Sequence, residues 1–175
     1  MRTILCGLVA LALIACGDGK ADAVNDRESI DAASGRTKVV DLAAYDLPFT
    51  VMFPDQRSLT DTVPTLGWNE EQGWFGAKLG ERFNLRIIEG PADLGRLKRD
   101  LDNDLLRTHT LITDQSDLVI YRSEYPDDPS LVFIHFFQVV AHDGRQFVIE
   151  SDPEGQFNEA DIRQMVEAVK AKIPA

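Results

Sequence analysis

The chain has 175 residues and a formal net charge of −11 at pH 7. That excess of acids repels nucleic acid and anionic lipid head groups, which excludes nucleic-acid binding from the reading. Its two cysteines, Cys6 and Cys16, both lie near the N-terminus, so the chain beyond them must hold its fold by its core, with no disulfide and no thiol chemistry.

Arg2 precedes an apolar run from Ile4 to Ile14 that is broken only by Gly7. As a helix this run would span ~16 Å, about half of a hydrocarbon core, so it reads as a signal-peptide h-region and not as a transmembrane helix. The run ends in Leu13-Ile14-Ala15-Cys16. This tetrapeptide resembles the lipobox of bacterial lipoproteins, in which the Cys is acylated and becomes the new N-terminus. Two routes stay open: cleavage near Ala15 by an ordinary signal peptidase, or lipidation of Cys16, which the small residue beside the Cys favours. The resemblance implies a signal peptide over 1–15 and a bacterial cell-envelope location, with attachment to a membrane by acyl chains. Gly17, and not an acid, follows the cysteine, which for such lipoproteins favours the outer membrane over the inner one.

Residues 16–37 hold few large apolar side chains, Val24 and Ile30 being the exceptions, so the lipidated Cys is followed by a flexible tether. Twenty residues of such coil reach on the order of 25 Å. Residues 38–175 have the size of one domain.

Within that domain, Lys38 to Phe53 reads as strand, turn, strand. Phe49, Val51 and Phe53 alternate with Thr50 and Met52. Thr65 to Glu89 reads as three short strands with turns at Glu70-Glu71-Gln72-Gly73 and Gly80-Glu81. Phe83, Leu85 and Ile87 share one face there. Pro91 to Arg107 is predicted to be a helix, with Leu94, Leu97, Leu101 and Leu105 on one stripe.

Leu118–Tyr125, Ser130–Ala141 and Gln146–Ser151 read as three more strands. The nearly unbroken apolar run Leu131–Val140 marks a central strand covered on both faces. Asp143-Gly144 is a type I′ hairpin signal. A last helix has Asn158 as N-cap, Asp161 in a variant capping box, Phe157 and Ile162 as a staple, and a core stripe of Ile162, Met165, Val166, Val169 and Ile173. Lys170 and Lys172 suit its far end, and Pro174 ends it.

The expected fold class is therefore α+β: an antiparallel sheet of about six strands with two helices packed on it. This order, the domain size and the final amphipathic helix resemble the PsbP-like fold, over about residues 38–175. The resemblance lies in the arrangement, so it assigns no functional residue. It implies a binding or assembly role, since members of that fold are mostly non-catalytic.

The chain carries no nucleophile elbow, Walker loop or His-Glu-x-x-His. Asp100, Asp102 and Asp104 mimic the start of a calcium loop, but Leu105 and Leu111 stand where that loop needs Gly and Glu. His109, His135 and His142 have no ligand spacing and read as structural. No catalytic residue, metal ligand or cofactor is assigned.

The most suggestive cluster runs from Trp68 to Trp74, two indoles flanking a turn that bears Glu70 and Glu71. Aromatics beside acids can hold a sugar or a cation, and packing of both rings onto the sheet is the ordinary alternative. Three functions remain. One is a non-catalytic lipoprotein that binds an envelope protein partner or helps assemble a complex, and this should show an exposed apolar patch. The others are a small-ligand binder with a site near Trp68, Glu70, Glu71 and Trp74 or between sheet and helix, and an envelope hydrolase built on a His–carboxylate pair or paired acids in a cleft.

Overall fold

Strict alternation becomes core packing first at Phe49–Phe53. In the computed structural model, which describes residues 37–54 and 63–172, Phe49, Val51 and Phe53 of this strand are all fully buried while Thr50 and Met52 face away. The strand is β2. It pairs antiparallel with β1 (Lys38–Asp41) on one side and with β10 (Val169–Ala171) on the other. Cys16, residues 1–15 read above as a signal peptide and residues 17–36 of the expected tether, together with Ile173 and Pro174, lie outside the described residues.

The larger sheet has seven strands, all antiparallel: β3 (Thr65–Asn69), β4 (Trp74–Leu79), β5 (Phe83–Glu89), β6 (Thr108–Asp114), β7 (Leu118–Tyr125), β8 (Asp128–His142) and β9 (Arg145–Ser151). Their spatial order is β3-β4-β5-β9-β8-β7-β6. Two helices, α1 (Leu94–Asp102) and α2 (Glu159–Ala168), complete an α+β fold. All described residues fall in one compact unit.

One face of the seven-stranded sheet carries the core. Phe75, Ala77, Leu79, Leu85, Ile87, Phe136, Phe147 and Ile149 point inwards there, and α2 and the small sheet cover them. Phe49 meets Phe147 edge-on at 4.9 Å, and Phe53 meets Phe83 at 5.1 Å, so aromatic pairs join the two sheets. Each such ring removed from water contributes roughly 1.5–3 kcal/mol. At the rim Arg145 makes a two-pronged contact with Glu89, at 2.8 and 2.6 Å, and donates to the Asp46 carbonyl.

The tight turns follow the sequence closely. Asp143 and Gly144 both have positive φ, as a type I′ turn requires, and His142 pairs with Arg145 across it. The capping box at α2 is complete: Asn158 Oδ1 accepts from the Asp161 amide at 2.9 Å, and Asp161 Oδ2 accepts from the Asn158 amide at 3.0 Å.

Four expectations need correction. α1 begins at Leu94 and not at Pro91, because Asp93 Oδ1 accepts the Arg96 amide and acts as the N-cap. It ends at Asp102, so Leu105 is not on its stripe, and Thr108–Asp114 is a strand that the helical reading obscured. α2 stops at Ala168, and Val169 is buried as the first residue of β10, opposite Val51; Lys170 and Lys172 lie beyond the helix. β8 is interior as expected, but neither of its faces is fully covered, since Ile134, Gln138 and Val140 on the core side and Phe133, Phe137 and Val139 on the other are half-buried.

α1 crosses that second, outer face. The Ala92 amide donates to Gln146 Oε1 on β9 at 3.0 Å, and Lys98 pairs with Asp114 on β6. Gln146 and Asp114 both project outwards, which sets the helix across the sheet near the buried Val119 and Val148. The rest of the outer face is where the polar chemistry gathers. Among the described residues no helix is long and apolar enough to cross a membrane.

Candidate functional site

Strand register places a row of large polar and aromatic residues on the outer face. Arg86 on β5 is opposite Glu150 on β9, which is opposite Phe137 on β8. One step along, His135 on β8 is opposite Tyr121 on β7. All five lie on the same face, because directly opposed residues share a face and so do His135 and Phe137, two apart on β8.

At the β5 side, Arg86 is held by two groups. Its guanidinium lies 4.6 Å over the Trp74 ring, and Nη2 donates to Asp152 Oδ1 at 2.7 Å. Asn84 Nδ2 donates to the other Asp152 oxygen at 2.6 Å. Arg86 Nε is buried with no hydrogen-bond partner, alone among the side-chain nitrogens and oxygens of the described residues.

Burial pushes the Glu150 carboxyl above its usual range, and the nearby Arg86 charge offsets part of that. Among the described residues, no side-chain hydrogen bond or ion pair engages Glu150. Burial, with the negative charge of Glu150 added, pushes the Tyr121 phenol up to about 12. His135 is 5% exposed and hydrogen-bonded through Nδ1 to Ser151 Oγ at 3.0 Å. Burial, reinforced by the Arg107 charge, takes it down to about 4, so it is neutral at physiological pH. Phe133 stacks parallel to it with centroids 6.5 Å apart.

Beyond Tyr121 lies a second network. His109 Nδ1 is 2.8 Å from Ser123 Oγ, and Nε2 is 3.0 Å from Asp104 Oδ2. A neutral imidazole protonated on Nε2 would donate to Asp104 and accept from the serine hydroxyl. That is the polarity of a Ser-His-Asp relay. Ser123, however, is 0% exposed in mid-strand, and a nucleophile must come within ~3 Å of the atom it attacks.

The network's visible effect is on the chain. Asp104 Oδ1 accepts the amides of Leu106 and Arg107 at 2.8 and 3.2 Å, and Arg107 Nε donates to Oδ2 at 2.8 Å. The Leu106 amide, then His109 and Arg107, hold the Asp104 carboxyl far below the usual carboxylate range. The turn so fixed projects Leu105 and Leu106 outwards, 97% and 74% exposed. Beside it, β6 is the outermost strand, with no Lys or Pro to guard its edge and with Leu111 also exposed.

The tryptophan hairpin does not assemble as one site. Trp68 pairs with Phe75 on the core face and meets it edge-on at 5.6 Å, while Trp74 stands on the outer face with Nε1 donating to Gln72 Oε1. Glu70 and Glu71 are exposed in the turn between them. Asp100 and Asp102 sit in α1 and Asp104 in the fixed turn, and no three His, Cys, Asp or Glu side chains of the described residues gather as a metal cluster. A groove of about 340 Å³ between β2 and α2 is lined by Thr37, Met52, Phe53, Pro54, Gln164 and Glu167.

Sequence reasoning missed Arg86, Glu150, Tyr121, Leu105 and Leu106, and gave His109 no partners. Recognition of β6 as a strand would have found the last: its register with β7 sets His109 opposite Ser123. No protein-family model matches the chain, and no curated protein matches it.

Proposed function

We propose that this protein is a bacterial envelope lipoprotein, anchored through acylated Cys16 to the outer membrane in preference to the inner one. Its α+β domain, PsbP-like in arrangement, serves as a non-catalytic module that binds an envelope protein partner or helps assemble a complex. The anchor half of the reading rests on the Leu13-Ile14-Ala15-Cys16 tetrapeptide. The binding half rests on one observation: Leu105 and Leu106 are almost wholly exposed on a turn that five hydrogen bonds or ion pairs to Asp104 and His109 hold rigid.

Flexible loops can fold stray leucines back against the surface. This turn cannot, and leaving two leucines in water forgoes roughly 1.5–3 kcal/mol each that a partner would recover. The adjacent free edge of β6 offers backbone donors and acceptors to the same partner. A photo-crosslinking side chain at position 105, with Glu71 as a control position, tests this in cells. One stoichiometric adduct at 105 and none at 71 supports the reading, and background labelling at both refutes it. Cys16→Ser separates the anchor from the domain, since it should abolish incorporation of a fatty-acid probe.

A further inference from the structure

A donor without an acceptor faces an acceptor without a donor across the β5–β9 pair. Arg86 Nε is buried and unpartnered, which leaves the desolvation of that N–H uncompensated. Two residues stand directly opposite Arg86, Gly76 on β4 and Glu150 on β9, and only Glu150 carries an acceptor side chain. Opposed residues of an antiparallel pair have Cβ atoms about 5 Å apart, so the two side chains reach each other.

The rest of the guanidinium is occupied. Nη2 donates to Asp152 Oδ1 at 2.7 Å, and the Trp74 ring covers it at 4.6 Å. The indole folds back this far because Gly76 has no side chain; a Cβ there would meet the ring at 2.8 Å. Asp152 is engaged elsewhere too, since Oδ1 accepts the Glu154 amide at 3.1 Å and Oδ2 accepts from Asn84 at 2.6 Å.

We infer that Glu150 is a proton-controlled latch on Arg86. Ionised, its carboxylate accepts from Arg86 Nε and closes the guanidinium between Glu150 and Asp152. Protonated, it lets go and leaves the arrangement seen in the structure. The proton passes between the carboxyl and solvent, and only the Glu150 side chain rotates, because Arg86 keeps Asp152 and Trp74. Through Asp152, β9 leads into the loop before α2, so the closed latch braces that junction.

The surrounding groups leave Glu150 as the member that changes charge. Phe137 and His135 stand beside it on β8, Tyr121 on β7, and Asp152 on its own strand; Arg107, before β6, acts on Tyr121 and His135. Tyr121 keeps its proton up to about 12, and His135 is neutral above about 4. Burial holds the Glu150 proton above the usual range, against the Arg86 charge. No latch residue belongs to the Leu105–Leu106 surface, so this inference stands or falls separately from partner binding.

The test is NMR of the full chain in detergent micelles, labelled with 15N at arginine and 13C at the glutamate carboxyl. Between about pH 4.5 and pH 8 the Arg86 Nε–H signal should move downfield in one step, as an N–H does on gaining a charged acceptor. The Glu150 carboxyl carbon should move with the same midpoint. Glu150→Gln, close in size, should abolish the Nε–H step, and Glu71→Gln should keep it. An Nε–H signal that stays put overturns the inference; a fixed water in place of the carboxylate would give that result. A step that survives Glu150→Gln overturns it as well. So do different midpoints for the two signals on the unmutated protein, a comparison that does not depend on how any variant folds.

Discussion

Acidification should expose the cost of the buried imidazole at position 135. Its native pKa is about 4 against an ordinary 6.5, so between those values the unfolded chain binds a proton that the folded protein refuses. Stability therefore rises with pH across this window. At 1.36 kcal/mol per pKa unit, the folded protein loses about 3 kcal/mol between neutral pH and about pH 4 through this group alone.

Other groups titrate nearby. Glu150, whose pKa is raised, works in the opposite sense above 4.5, and the depressed carboxyls of Asp104, Asp41 and Glu89 lose stability only at the acid end. A paired variant removes these common contributions. His135→Phe keeps a ring against Phe133, Tyr121 and Phe157 and forfeits the Ser151 contact, a pH-independent offset of about 1 kcal/mol. Urea unfolding of both proteins, followed by circular dichroism from about pH 4 to pH 7.5, should show the native protein gaining about 3 kcal/mol on the variant as pH rises, from less stable than it near pH 4 to more stable at neutral pH. Parallel curves, within about 0.5 kcal/mol, would refute the account of His135 as a buried neutral group.

Val169→Asp places a carboxylate in the layer between β10 and the core, and thermal unfolding should register a loss of at least about 3 kcal/mol. Asn158→Ala removes half of the α2 capping box and should cost about 1 kcal/mol, seen as a melting point several degrees lower; no change would mean that the box is dispensable. Leu105→Ser combined with Leu106→Ser should leave the melting temperature within the range of an ordinary surface change, about 0.5 kcal/mol, because neither side chain is packed. A large destabilisation would show that the turn is part of the core and not a surface for a partner.

The periodicities carried much of the architecture. Phe49, Val51 and Phe53, and Phe83, Leu85 and Ile87, are buried as their alternation demands, because side chains two apart in a strand must share a face. Asp143-Gly144 and the Asn158–Asp161 box are legible for a related reason: their backbone geometry depends only on residues within a few positions.

Where local signals compete, tertiary contacts decided. Leu101, Leu105 and Leu106 extend a helical pattern, yet the chain turns at Asn103 because Asp104 finds partners in Arg107 and in His109, and His109 is itself held by Ser123 across the β6–β7 pair. Val169 continues a helical stripe, yet it pairs with Val51 more than a hundred residues away.

The Trp68–Trp74 cluster shows the same limit in a candidate site. Six residues apart in sequence, the two indoles end on opposite faces because a hairpin lies between them. Glu150, Tyr121 and His135, scattered over 30 positions, come together only through the register of three strands. Composition, alternation and caps are local quantities and the sequence alone determined them. Strand order and register are not local, and they determined which polar side chains share a face and which leucines stay in water.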